Sequence, residues 1–215
     1  MEWIRELLAF VLHIDESLKE ITASYGWWTN AILFLIIFCE TGLVITPFLP
    51  GDSLLFATGA IAADPSAGLN PFVLYLILTV AAILGDSVNY AIGQRVGMRI
   101  LDWNLPFVKK EHIERTTEFY AKHGAKMIVL ARFTPIVRTF APFVAGMANM
   151  DYKVFVTYNV AGGVLWTTLF IWSGYFFGNL PFVQDNFELV ALAIVVISLL
   201  PMVYEYWQAR RHNAK

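Results

Sequence analysis

Charge is scarce in this chain. Of 215 residues, 15% are Asp, Glu, Lys or Arg, where an ordinary soluble domain carries about 25%. Apolar residues make up 58%, aromatics 15%, and mean hydropathy is +0.59. That balance excludes a soluble globular domain and predicts an integral membrane protein. Cysteine is scarcer still: the single Cys39 rules out a disulfide within the chain or a cysteine-rich metal site, and its apolar surroundings read as those of a packed thiol. Histidine occurs four times, at His13, His112, His123 and His212, all in expected extramembrane regions and without metal-ligand spacing. Neither a G-x-S-x-G elbow, a Walker A loop nor an H-E-x-x-H pair occurs, so no metal, no catalytic residue and no enzyme activity is expected. A formal net charge of -2 says little, because in a bilayer the placement of charge matters more than its sum; no nucleic-acid partner is expected. The absence of an N-x-S/T sequon is compatible with a bacterial membrane.

Long apolar runs are what the chain does have. Four are near the ~20 residues that ~30 Å of hydrocarbon requires: 27–45, 71–93, 152–178 and 187–207. Two more, about 46–63 and 126–150, are interrupted by Pro and Gly and carry charge, and they read as re-entrant segments. Residues 1–26 are too acidic for a cleavable signal; Trp3, Ile4, Leu7, Leu8, Val11 and Leu12 recur at helical spacing and predict an amphipathic helix. A second amphipathic helix, about 108–124, carries mixed charges at i, i+4 spacing and fits either a solvated face or contact with anionic headgroups. Seven Lys and Arg between Arg95 and Lys126, with Arg210, Arg211 and Lys215 in the tail, place these regions and both termini in the cytoplasm by the positive-inside rule. The two re-entrant segments then enter from opposite sides. A short repeat agrees: Thr46-Pro47 to Gly59-Ala60 is nearly as long as Thr134-Pro135 to Gly146-Met147, and the next spans end in Gly93/Gly97 and Gly174/Gly178. Broken segments at matching positions of two halves point to an inverted-repeat transporter. The expected fold is an all-α integral membrane protein of about four transmembrane helices, two opposed re-entrant hairpins and an N-terminal amphipathic helix.

Five ionisable groups lie where lipid-buried segments should have none. An ionised side chain at mid-membrane costs about 2.5 to 3.5 kcal/mol on the insertion scale, so such groups must face each other or a wet cavity. Arg132 and Arg138 flank Pro135, and a proline break can bring both to one pocket. Guanidinium offers phosphate a planar fork of donors and keeps its charge, which makes a phosphate-bearing headgroup the natural guest; neutralising nearby acids or snorkelling is the plainer reading. Glu40 lies late in the first span with no structural excuse, and a carboxylate buried beside a guanidinium can exchange a proton as an anion arrives or leaves. Asp52, after Pro47, Pro50 and Gly51, fits either that role or a helix cap. Asp86, with Asn89 and Tyr90 at i+3 and i+4, fits a supporting polar site or a helix-packing network. Pro47, Pro50, Gly51, Pro135, Pro142 and Gly146 are the expected hairpin breakers.

These residues carry a resemblance. Glu40 followed by Pro47-Phe48-Leu49-Pro50-Gly51-Asp52, then Gly85-Asp86 with Tyr90, Gly93 and Gly97, then Arg132-Phe133-x-Pro135-x-x-Arg138-x-x-x-Pro142-x-x-Ala145-Gly146, resemble the DedA family over about 25–180. The resemblance implies a membrane domain at 27–180, with 181–215 forming a last helix and basic tail. It further implies a bacterial inner-membrane flippase that depends on the proton motive force and returns undecaprenyl phosphate from the outer to the inner leaflet, supporting envelope synthesis. Glu40 and Asp52 would be the proton-coupling pair, and Arg132 and Arg138 the lipid-phosphate ligands. Expected partners are membrane lipids and protons, with no further cofactor and homo-oligomerisation left open. The alternatives are a proton-coupled small-cation antiporter or channel, a scramblase of broader phospholipid specificity, and an envelope scaffold.

Overall fold

The computed structural model describes residues 14–43, 51–102, 124–187, 189–190 and 192–194. Every regular element among them is helical: α1 (Ile14–Tyr25), α2 (Thr29–Gly42), α3 (Gly51–Ala62), α4 (Pro71–Asp102), α5 (Lys126–Ala131), α6 (Pro135–Met147), α7 (Tyr152–Phe177) and α8 (Pro181–Asp185), with 3-10 turns at Gly26–Trp28 and Pro65–Ala67. Among the described residues, three stretches are long and apolar enough to cross a membrane: Glu20–Gly42, Pro71–Val96 and Tyr152–Phe177. The protein is an all-α integral membrane protein. Its first span starts earlier than hydropathy suggested, because the 3-10 turn joins the end of α1 to α2. Pro47, Pro50 and all but the last residue of the helix expected at about 108–124 lie outside the described residues, as do the first half of 1–26 and most of 187–215.

The long helices are apolar on the outside and polar within. On α4, Phe72, Leu76, Val80, Leu84 and Val88 are exposed at four-residue spacing, while Asp86 and Asn89 are buried. A soluble helix shows the reverse; here the exposed stripe is the lipid face.

The described residues fall into two compact units. The first takes its residues from 1–32, 50–76 and 167–215, the second from 33–49 and 77–166. In the first unit α1 packs on α3, whose twelve residues are all buried. There α3 meets α7 through an exchange of glycines: a Cβ on Gly59 would stand 2.0 Å from the Ile171 carbonyl oxygen, and one on Gly174 would stand 1.9 Å from that of Phe56. In the second unit α6 meets α4 in the same way, with Gly146 against the Tyr90 carbonyl oxygen at 2.1 Å and Gly93 against that of Phe143 at 2.0 Å. Each carbonyl lies three residues before the glycine of its own helix, so the contact is reciprocal in both units. Small residues that let backbones touch are how membrane helices associate when lipid removes the hydrophobic drive. The weak sequence repeat thus has a physical content.

Within the expected re-entrant segment 126–150, the chain is helix, break, helix. Pro135 has no N–H and disfavours the helical region for its predecessor, so Thr134 is extended (φ −120°, ψ 104°) and α6 starts afresh. Two expected breakers do not break. Pro142 lies inside α6, removing one rung of its ladder without ending it, as membrane helices tolerate where surrounding protein takes up the freed group. Gly146 is also helical, and its role is the close approach to α4. Gly51 opens α3, which puts Asp52 in the first helical turn.

Gly174→Val and Gly93→Val each drive a side chain into a backbone carbonyl and should cost about 3 kcal/mol. Thermal unfolding of purified protein in detergent checks this, with Leu84→Val on the exposed face expected to unfold like the parent.

Candidate functional site

The break before Pro135 gathers the charged groups of the second unit. Arg132 caps the end of α5 and Arg138 lies in the first turns of α6. A continuous helix would turn them to different faces, but the extended Thr134 between them lets both reach one point. Glu40 arrives on the last turn of α2 and Asp86 from the middle of α4. Arg138 pairs with Glu40, and Arg132 with Asp86. The four are 5%, 1%, 2% and 4% exposed respectively, so both ion pairs are taken out of solvent.

Neutral groups complete the cluster. Asn89, fully buried, donates through Nδ2 to the carbonyl of Thr41 (3.1 Å) and to that of Thr139 (2.7 Å), tying the residue after Glu40 to the residue after Arg138. Arg132 also donates to Oδ1 of Asn159 on α7. The indole of Trp166, further along α7, has the guanidinium carbon of Arg138 at 5.0 Å and that of Arg132 at 5.8 Å from its ring centroid. Both lie within the ~6 Å at which a cation is drawn to an aromatic face.

Of the expected residues, Glu40, Arg132, Arg138, Asp86 and Asn89 come together, and Asp86, for which a supporting site and a helix-packing network were both open, is the counter-ion of Arg132. Tyr90 does not join them: its hydroxyl donates to the Met150 carbonyl and its ring stacks on Phe155 at 4.4 Å, inside an apolar cluster with Ile128 and Ala145. Asp52 belongs to the first unit, buried in the first turn of α3. That unit also contains a cavity of about 620 Å³ whose wall includes Thr22, Asp64, Ser66, Asn179 and Gln184. Among the described residues, no three His, Cys, Asp or Glu side chains are grouped to hold a metal.

Asn159 and Trp166 were not anticipated. Their signal is Asn159-x-x-Gly162-Gly163-x-x-Trp166, one helical face written at i, i+3, i+4 and i+7.

The VTT domain model matches residues 49–176, which takes in Asp52, Asp86, both arginines, Asn159 and Trp166. The chain belongs to this family, that of the DedA proteins. It is similar over its whole length to the protein DedA of Escherichia coli K12, at 51% identity across 99% of that relative. An uncharacterized membrane protein of Mycobacterium tuberculosis H37Rv is 41% identical over 87% of the chain and 85% of the relative. The inner membrane protein YqjA of Escherichia coli K12 is 34% identical over 80% of the chain and 76% of the relative. No solved structure matches.

In this VTT-domain protein each buried charge needs its partner. Asp86→Ala leaves the Arg132 guanidinium without its counter-ion and should destabilise the protein by about 3–5 kcal/mol. The paired change Asp86→Leu with Arg132→Met should recover most of that loss, and thermal unfolding in detergent measures both.

Proposed function

We propose that this VTT-domain protein is a proton-coupled flippase for a lipid phosphate carrier, undecaprenyl phosphate being the favoured substrate, moving it from the outer to the inner leaflet of a bacterial inner membrane with both termini cytoplasmic. The observation that carries the reading is the pairing of two buried guanidiniums with two buried carboxylates around one indole, in a membrane protein. Guanidinium donates to phosphate and to carboxylate oxygens through the same planar fork of N–H groups. An arriving phosphate can therefore take the place of Glu40 on Arg138 and of Asp86 on Arg132.

Electroneutrality then supplies the coupling. The resting cluster of two cations and two anions is neutral, whereas the same cluster with a phosphate added is not. In a medium where an uncompensated charge costs several kcal/mol, roughly one proton must enter for each negative charge brought in. Glu40, freed from Arg138, is the first acceptor and Asp86, freed from Arg132, the second; Asp52 is a further proton-exchanging acid, as the family resemblance implies. Release of the phosphate restores the ion pairs and expels the protons. The polyprenyl tail stays in lipid throughout, so the headgroup alone needs a polar route. The name of the YqjA relative supports the inner membrane as the location.

Single removal of Arg138 strands Glu40, so the test uses both Arg138→Ala and the neutral pair Arg138→Gln with Glu40→Gln. In proteoliposomes both should lose more than about 90% of polyprenyl phosphate translocation, as expected when the anion's charged donor is gone, while the neutral pair remains inserted and folded. Glu40→Gln alone should transport without the parent's dependence on pH. Unchanged translocation in the neutral pair, or proton-driven cation flux in place of lipid movement, contradicts the assignment.

A further inference from the structure

One face of α7 is shaped around the guanidinium of Arg132. Asn159, Gly162, Gly163 and Trp166 follow one another at i, i+3, i+4 and i+7, and all four are buried. At Gly162 an added Cβ would stand 3.3 Å from both Cδ and Nε of Arg132 and 3.2 Å from Cα of Val129. At Gly163 it would stand 3.7 Å from Cζ of Arg132 and 2.9 Å from Cγ1 of Ile83. The two glycines thus leave a flat floor on which the arginine side chain lies.

Each end of that floor has a polar or aromatic stop. The Asn159 amide is oriented by chemistry: its Nδ2 donates to the Ile83 carbonyl (3.0 Å) and to Oγ of Ser87 (3.3 Å), and a carbonyl can only accept. Oδ1 must then face Arg132, from which it takes a hydrogen bond that does not depend on Asp86. At the other end Trp166 is fully buried and has both guanidiniums within 6 Å of its ring. Two like charges drawn to one indole are held near each other against their repulsion, and neither contact involves a carboxylate.

We infer that Asn159 and Trp166 are positioning residues for the anion-binding arginines: Asn159 aims Arg132, and the Trp166 ring keeps Arg132 and Arg138 together when a phosphate displaces Asp86 and Glu40. This inference rests on the flippase reading. During exchange of anions the carboxylates come and go, while the amide and the ring stay; the spacing of the two guanidiniums is therefore a property of α7. A lipid phosphate meets a preset pair of forks, and the cost of assembling them is met at folding.

The test compares full-length variants in vesicles of phosphatidylethanolamine and phosphatidylglycerol doped with polyprenyl monophosphate, reading initial translocation rate against its mole fraction. Trp166→Leu should raise the half-saturating fraction about tenfold, the size expected when a desolvated cation–aromatic contact is lost, and Trp166→Phe should restore it to within about threefold. Asn159→Ala should raise it about fivefold through loss of a hydrogen bond to a charged group. Equal half-saturation in Trp166→Leu and Trp166→Phe overturns the inference. A second measurement needs no transport: the loss of thermal stability caused by Trp166→Phe and Trp166→Leu, taken in the parent and in the neutral Arg138→Gln, Glu40→Gln background. A smaller loss in the neutral background supports the inference, and strict additivity overturns it. Coupling in this cycle, together with full translocation by the neutral pair, would locate the failure in the flippase reading and leave the positioning role standing.

Discussion

A guanidinium inside a membrane protein cannot stand alone. Removing such a charge from water costs several kcal/mol, and a carboxylate at hydrogen-bond distance recovers this cost only when the geometry is good and the remaining polar groups are satisfied. Arg138 has Glu40 and Arg132 has Asp86 as its carboxylate, with the Asn159 amide a further acceptor for Arg132, and much of the second unit can be understood as the means of bringing these partners together. Thr134 must be extended so that α5 and α6 present their arginines to one point. Gly93 and Gly146 must lack side chains so that α6 can lie against α4, which carries Asp86. Gly85 has the same task between α4 and α2, where an added Cβ would stand 1.9 Å from Oγ1 of Thr41, beside Glu40. Asn89 then ties the helices bearing Glu40 and Arg138 through two carbonyls.

The requirement that stabilises the cluster also makes it responsive. Ion pairs held this closely and this dry are sensitive to any third charge, because the interior offers little screening. A phosphate on the arginines and a proton on a carboxylate are complementary perturbations, each making room for the other. Transport driven by a proton gradient needs such a linkage between two ligands, with a differential affinity between states for each.

Much of this was legible from residue type and spacing, and the parts that were not have identifiable causes. Charges in apolar runs single out Glu40, Asp52, Asp86, Arg132 and Arg138, because an ionised group there needs a partner or a wet cavity. Pro135 marks the break because its effect on the preceding residue is local. Pro142 shows the limit of that logic: the same residue type inside α6 is absorbed by tertiary packing that spacing cannot reveal. The partnership of Arg132 with Asp86 was equally hidden, because it depends on which helices touch across 46 residues of sequence. Asn159 and Trp166 escaped for another reason. On a long and strongly apolar helix, a stripe of one asparagine, two glycines and a tryptophan barely disturbs the hydropathy pattern. Tyr90, for which site and helix packing were both open, falls to packing, its hydroxyl being taken up by a backbone carbonyl in an apolar cluster.

The central claim is that lipid phosphate and carboxylates compete for the same two buried guanidiniums, with protons making up the charge. Proton uptake on binding tests it most directly. Purified protein in weakly buffered detergent solution is titrated with a soluble polyprenyl phosphate while a pH-sensitive dye records the bulk proton concentration. Net uptake that tracks the amount bound, and disappears in the neutral Arg138→Gln, Glu40→Gln pair, is the expected result. Binding by the parent protein with no proton uptake would contradict the exchange.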